Sequence, residues 1–160
     1  MLAYLSLGSN VGDRQAHLRE TQTRLAALGK VVHASSYYET EPVEFTDQPW
    51  FLNCALALET ELTPGELMRS ILQIEREMGR KRLQKKGPRT IDIDILLFGD
   101  EIVRSDEVTI PHPAMHERRF VLEPLAEIAS EAEHPSRKQT VRELLKGLPQ
   151  GQEVRKQSSS

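Results

Sequence analysis

The sequence predicts an α+β sandwich: an antiparallel sheet built in the order β-α-β-β-α-β, with helices packed on one face and extra C-terminal helices. Three observations carry the prediction. Strand-like runs recur at 2–7, 31–40, 51–59 and 91–98, two amphipathic helical patterns fall between them, and capped starts and glycine stops separate the runs. The 160 residues suit one domain, which we place over residues 1–150, with a disordered tail at 151–160.

Residues 2–7, "LAYLSL", read as the first strand and "GSN" as the turn after it. Asp13 is positioned to cap a helix whose Leu18, Gln22, Leu25 and Leu28 share a face until Gly29 stops it. "VVHASSYYET" (31–40) is rich in β-branched and aromatic residues and reads as one strand; "EPVEFTDQP" (41–49), with two prolines, reads as a loop. In "FLNCALALE" (51–59), Leu52, Cys54, Leu56 and Leu58 point one way and Phe51, Asn53, Ala55 and Ala57 the other, the leucines toward the core. Thr63, Pro64 and Glu66 form a helix start with a capping box; Leu67, Ile71, Ile74 and Met78 make the apolar stripe and Gly79 ends it. Ile91 to Phe98 reads as the fourth strand, Gly99-Asp100 as a hairpin turn and "EIV" (101–103) as a short return strand. "FVLEPLAEIA" reads as a short helix interrupted near Pro124, and Thr140 as the cap of another at "VRELLKG". The order is that of the ferredoxin-like sandwich, whose second sheet face is expected to be open to a ligand.

The apolar fraction of 38% and charged fraction of 28% fit a globular chain, and no run approaches the roughly 20 apolar residues that cross a bilayer. We expect no membrane partner. The first ten residues carry no export signal and Cys54 is the single cysteine, so a cytoplasmic location without an internal disulfide is expected. We expect a monomer. The net charge of −3 argues against bulk binding to nucleic acid, but the distribution is uneven. Residues 80–89, "RKRLQKKGPR", hold six basic groups and no acid, leaving 15 basic against 24 acidic groups elsewhere. Such a local concentration suits one small polyanion, although a solvated basic loop would read the same way.

Asp92 and Asp94 follow directly in "TIDIDILLFGD". Side chains two apart on a strand share a face, so Ile91, Ile93 and Ile95 turn to the helices and both acids to the open side. Their Cα atoms are then about 7 Å apart. Two carboxylates at that spacing repel unless a cation intervenes, and oxygen-only donors suit Mg²⁺, which fills its shell with water and substrate phosphates. The bland alternative is an outward strand face that happens to be acidic. The neighbours favour the chemical reading: Arg80, Arg82, Lys85, Lys86 and Arg89 surround Gly87 and Pro88, giving a hinged positive segment beside a carboxylate pair, as phosphoryl transfer requires. His112, between two prolines, sits on rigid backbone and can donate to a phosphate oxygen. No P-loop or dinucleotide motif is present, Cys54 faces the core, and His17, His33, His116 and His134 lack metal-ligand spacing.

Together, "LGSNVGDR", "FLNCALALET", the Gly79-Arg80 pair and "GPRTIDIDILLFGD" resemble the 6-hydroxymethyl-7,8-dihydropterin pyrophosphokinase family of folate biosynthesis, in order from residue 1 to about residue 148. The resemblance implies transfer of pyrophosphate from Mg-ATP to the pterin hydroxymethyl oxygen, releasing AMP, with two Mg²⁺ ions bound by Asp92 and Asp94. It implies that Arg82 and Arg89 act with these acids in catalysis by gripping phosphates, and that Ile95, Thr109, His112 and Arg118 are further ATP contacts. On the pterin side it implies Asn53 reading the ring edge, Phe120 stacking on the ring, backbone contacts from Thr40 and Val43, and Phe51 as an aromatic neighbour. Lys86 stands where one family member has a tryptophan, and Phe51 and Pro113 where it has tyrosines. Two competing readings are an RNA-binding module of the same fold and a binding protein whose chemistry has lapsed. Aromatics at 5% and acids on the open face oppose the first; intact Asp92, Asp94, Arg82, Arg89 and His112 oppose the second.

Overall fold

The computed structural model describes residues 1–42, 49–79 and 90–157. Strand β1 (Leu2–Ser9) leads into helix α1 (Arg14–Leu25), where the Asp13 carboxylate accepts the Ala16 N–H at 3.1 Å and satisfies one free donor of the first turn. Strands β2 (Lys30–Ala34), β3 (Tyr38–Thr40) and β4 (Phe51–Glu59) follow. Helix α2 (Pro64–Glu77) opens on the expected capping box, Thr63 and Glu66 each bonding the other's backbone N–H. Strand β5 (Asp92–Phe98) precedes a small hairpin, β6 (Val103–Arg104) with β7 (Thr109–Ile110). Helix α3 (Arg119–Ala129), the hairpin β8 (Glu133–His134) with β9 (Gln139–Thr140), the capped helix α4 (Val141–Lys146) and strand β10 (Val154–Lys156) complete the chain.

The main sheet runs in the order β10-β3-β4-β1-β5, and β2 continues the line of β3 along β4; every pairing is antiparallel. The period-two pattern sets its two faces. Leu5 and Leu7 of β1, Leu52, Cys54, Leu56 and Leu58 of β4 and Ile93 and Ile95 of β5 pack against Leu18 and Leu25 of α1 and Leu67, Ile71 and Ile74 of α2. On the opposite face, Tyr4, Ala55 and Leu97 meet Val121, Leu122 and Leu125 of α3, with Val141 and Leu144 of α4 behind them. The face expected to be open is therefore half covered, and the helices flank both sides of the sheet. A bulge in β5 makes the second contact possible: Leu5 pairs with Ile95 and Tyr4 with Leu97, so the extra residue, Leu96, brings two successive leucines to the α3 side.

Other differences from the sequence reading have local causes. The 31–40 run splits into β2 and β3, because the Ser35 hydroxyl and N–H both turn in to bond Ala55 of β4. β1 carries on through Gly8 and Ser9, which pair with Asn53 and Leu52. Gly99 does turn the chain, with φ +56, but the return strand pairs with β7. α3 passes Pro124 without a break, since burial of Val121, Leu122, Pro124 and Leu125 in one stripe compensates the single missing hydrogen bond. Finally, the expected disordered tail contains β10, which pairs Val154 with Thr40, Arg155 with Glu39 and Lys156 with Tyr38. No helix among the described residues is long and apolar enough to cross a membrane.

Candidate active site

On the α3-side face of the sheet, register sets the site. Asn53 of β4 pairs with Gly8 of β1, which pairs in turn with Asp92 of β5, and Tyr38 of β3 continues the row. One step along, Ala55, Ser6 and Asp94 make a parallel row. Asn53 and Asp92 are thus two strand spacings apart, about 10 Å, with no side chain between them because the intervening residue is glycine. A Cβ at Gly8 would run into the Asn53 side-chain oxygen. The absence of a side chain at Gly8 lets the Asn53 amide lie over the β1 backbone, on the side of Asp92 and Asp94. The sequence reading, which ended β1 at Leu7, missed it.

Asn53 is 4% exposed and its Nδ2 donates to the Thr40 hydroxyl at 2.6 Å, so the orientation of its amide is fixed within the fold. Thr40 pairs with Phe51, which is half-buried on the same face. Asp92 and Asp94 are likewise half-buried, as the isoleucine alternation requires. His112 Nε2 lies 3.7 Å from Asp94 Oδ1, while its Nδ1 accepts the Ala114 N–H at 3.1 Å. That bond fixes the neutral tautomer: the proton is on Nε2, the nitrogen turned toward Asp94. Arg118, immediately before α3, holds its guanidinium 5.5 Å from the Phe120 ring centroid.

The remaining predicted positions divide. Thr109 is exposed on β7 and lines a cleft of ~390 Å³ together with His112, Pro111 and His116. Ile95 is 2% exposed and its side chain belongs to the α1–α2 core, so only its backbone, on the edge strand, can meet a ligand. Arg82, Arg89 and Val43 lie outside the described residues. Cys54 is fully buried and burial pushes its thiol up to about 12, which removes it as a nucleophile.

Two further residues brace the site. Glu75 of α2, 2% exposed, accepts the Ile93 N–H at 2.9 Å and so ties the free edge of β5, between the two aspartates, to the helix. Asn10, 1% exposed, donates to the Pro49 carbonyl at 3.0 Å and anchors the approach to β4. Glu75 stands beside Ile74 of the apolar stripe, and an acid buried next to that stripe was the available signal.

Among the described residues no group of three or more His, Cys, Asp or Glu side chains is placed to hold a metal. The two aspartates alone fit an ion that takes a few carboxylate oxygens and completes its shell with water and phosphates, which is the habit of Mg²⁺. A carboxylate pair and a fixed amide on one sheet face fit the class of metal-assisted group-transfer enzymes. Residues 4–130 match the family model of 7,8-dihydro-6-hydroxymethylpterin-pyrophosphokinase (HPPK). The chain belongs to that family and is a Mg-ATP-using pyrophosphokinase of folate biosynthesis. It is 48% identical over 134 residues to the 2-amino-4-hydroxy-6-hydroxymethyldihydropteridine pyrophosphokinase of Bacillus subtilis, covering 82% of this chain and 80% of that one. With the Methylorubrum extorquens enzyme of the same name the figures are 47% over 148 residues, 91% and 92%. Among solved structures, Plasmodium falciparum HPPK-DHPS with pteroate superposes with a TM-score of 0.72 at 20% identity, over 91% of this chain and 42% of that one. This chain therefore spans about two fifths of the length of that structure, and the likeness concerns the fold.

Proposed function

We propose that this face of the sheet is where the terminal pyrophosphoryl group of ATP passes to the hydroxymethyl oxygen of 6-hydroxymethyl-7,8-dihydropterin, with AMP leaving. The observation that carries the reading is the row Asn53–Gly8–Asp92, which sets a fixed amide, lying over the glycine, on the same sheet face as a carboxylate pair. Asn53 reads the ring edge, and Phe51 and Phe120 supply apolar surface to its faces. Asp92 and Asp94 would hold two Mg²⁺ ions, which when bound neutralise phosphate charge and orient the chain of phosphates.

The protein's own groups do the rest. His112 presents Nε2–H beside Asp94 and donates to a phosphate oxygen; Arg118, kept in place over Phe120, adds a planar donor fork. Arg82 and Arg89 take the remaining phosphate charge in this reading, by family resemblance. The strand order supports a ferredoxin-like core, to which α3, α4 and β10 are added. ATP, Mg²⁺ and the pterin incubated with the protein should yield AMP and no ADP, and Asp94→Ala should lose turnover by about 10²- to 10³-fold without loss of Tm. ADP as the product, or AMP release near the wild-type rate from the variant, would overturn the assignment.

A further inference from the structure

The segment 150–157 is polar and has no part in the chemistry above, yet it is tied along the whole length of β3. The Glu41 N–H donates to the Glu153 carbonyl at 3.2 Å, the Glu153 N–H to the Glu41 carboxylate at 2.7 Å, and the Gln152 side chain to the Glu41 carbonyl at 2.6 Å. The Gln157 N–H donates to the Tyr37 carbonyl at 2.8 Å, beyond the last ladder pair. Between these ties, Val154 lies opposite Thr40, the residue that fixes Asn53. On the other face of the ribbon the Arg155 guanidinium stacks over the Trp50 ring at 4.8 Å, and the Trp50 carbonyl accepts Arg14 Nη1 at 3.0 Å. Arg14 also makes a two-point pair with Glu39, at 2.7 and 2.8 Å, and Glu39 is the ladder partner of Arg155. β3 thus has hydrogen-bonded and cation–π ties at this edge in addition to the burial of Tyr38 and Thr40. β3 is three residues long, and without β10 it would be paired on one side only.

We infer that β10 is the positioning element for the pterin side of the site, with Arg155 on Trp50 as its clamp. It sets the height of Thr40, and thereby of Asn53, relative to Phe51. The inference rests on the reading of Asn53 as the residue that meets the pterin. β10 and β5, the strand that carries Asp92 and Asp94, lie at opposite ends of the strand order, so the effect of β10 should fall on one substrate and not the other.

The test compares wild type with Arg155→Ala, Arg155→Lys, a chain ending at Gln150, and Asn53→Ala, each alone, and combines the truncation with Asn53→Ala. KM for pterin, KM for ATP, kcat and Tm are measured for each. A cation–π contact at an exposed site is worth about 0.5–1 kcal/mol, so Arg155→Ala should raise the pterin KM roughly two- to fivefold and Arg155→Lys less. The truncation should raise it about tenfold, with the ATP KM unchanged, and should add nothing in the Asn53→Ala background. Should the truncated chain fail to fold, the Arg155 pair carries the test. An unchanged pterin KM in Arg155→Ala and the truncation, or an equal rise in both KM values, overturns the positioning role while Asn53→Ala still raises pterin KM. An unchanged pterin KM in Asn53→Ala itself overturns the reading of the face, and the role of β10 with it.

Discussion

Replacing Gly8 with alanine adds one methyl group beneath the Asn53 amide, and its consequences can be followed atom by atom. The new Cβ meets the Asn53 side-chain oxygen, and Asn53, at 4% exposure and hydrogen-bonded to Thr40, has no solvent into which to swing. Overpacking of this kind costs about 1–3 kcal/mol, and breaking the Asn53–Thr40 bond adds about 0.5–1.5 kcal/mol if the amide is displaced. On the reading proposed above, displacing the amide that meets the pterin edge weakens pterin binding by a similar ~1–3 kcal/mol, or roughly 5- to 150-fold. The ATP side is a strand away and should keep its KM. AMP release with pterin and ATP varied separately gives both constants, and a thermal melt gives the stability term. Shortening the neighbour as well, in Gly8→Ala with Asn53→Ser, should return the lost stability but not the pterin affinity. A pterin KM within twofold of wild type in Gly8→Ala would refute the reading of Asn53 as the residue that meets the pterin.

Glu75→Ala should destabilise by about 1–3 kcal/mol, because the Ile93 N–H loses its buried acceptor, and should cut turnover more than Glu75→Gln does; denaturant unfolding and steady-state rates check both. Asp94→Ala, by contrast, should leave unfolding midpoints unchanged while turnover falls by about 10²- to 10³-fold, since its side chain faces out from the strand. Glu127 provides a pH test. Burial would raise its carboxyl, but the hydrogen bonds from Tyr38, the Ser36 N–H and the Ser36 hydroxyl, with Lys156 nearby, bring it below the ordinary glutamate value. A depressed carboxyl contributes stability that is complete above its unfolded pKa of about 4.3 and is lost as pH falls through the folded value. Wild type should therefore lose more stability than Glu127→Gln on acidification below about pH 4, as read by thermal melts; parallel losses would remove Glu127 from the account.

What could be read from the sequence was what is local. The capping box at Thr63 and Glu66 and the leucine alternation of β4 depend on neighbours within a few residues, and both appear as expected. The pairing of Asp92 with Asp94 on one face, away from the isoleucines, follows from the same period of two. What could not be read depends on partners distant in the chain. Gly8 looks like a turn residue until β4 and β5 are set on either side of it. Glu75 looks like a solvated acid until its carboxylate is found under the edge of β5. The polar, charged run around Arg155 has every mark of a tail, and only the ladder with β3 makes it a strand. α3 illustrates the converse: Pro124 is a real local break signal, overridden by packing against the sheet.

The metal assignment is the centre of the account, and counting ions tests it most directly. Mn²⁺ used in place of Mg²⁺, with a non-hydrolysable ATP analogue, can be counted by electron paramagnetic resonance of the free ion. Wild type should take up two ions per chain in the presence of the analogue, and the Asp92→Ala, Asp94→Ala double variant should bind none beyond what the analogue binds in the absence of protein. Equal uptake by the folded double variant and wild type would contradict the account.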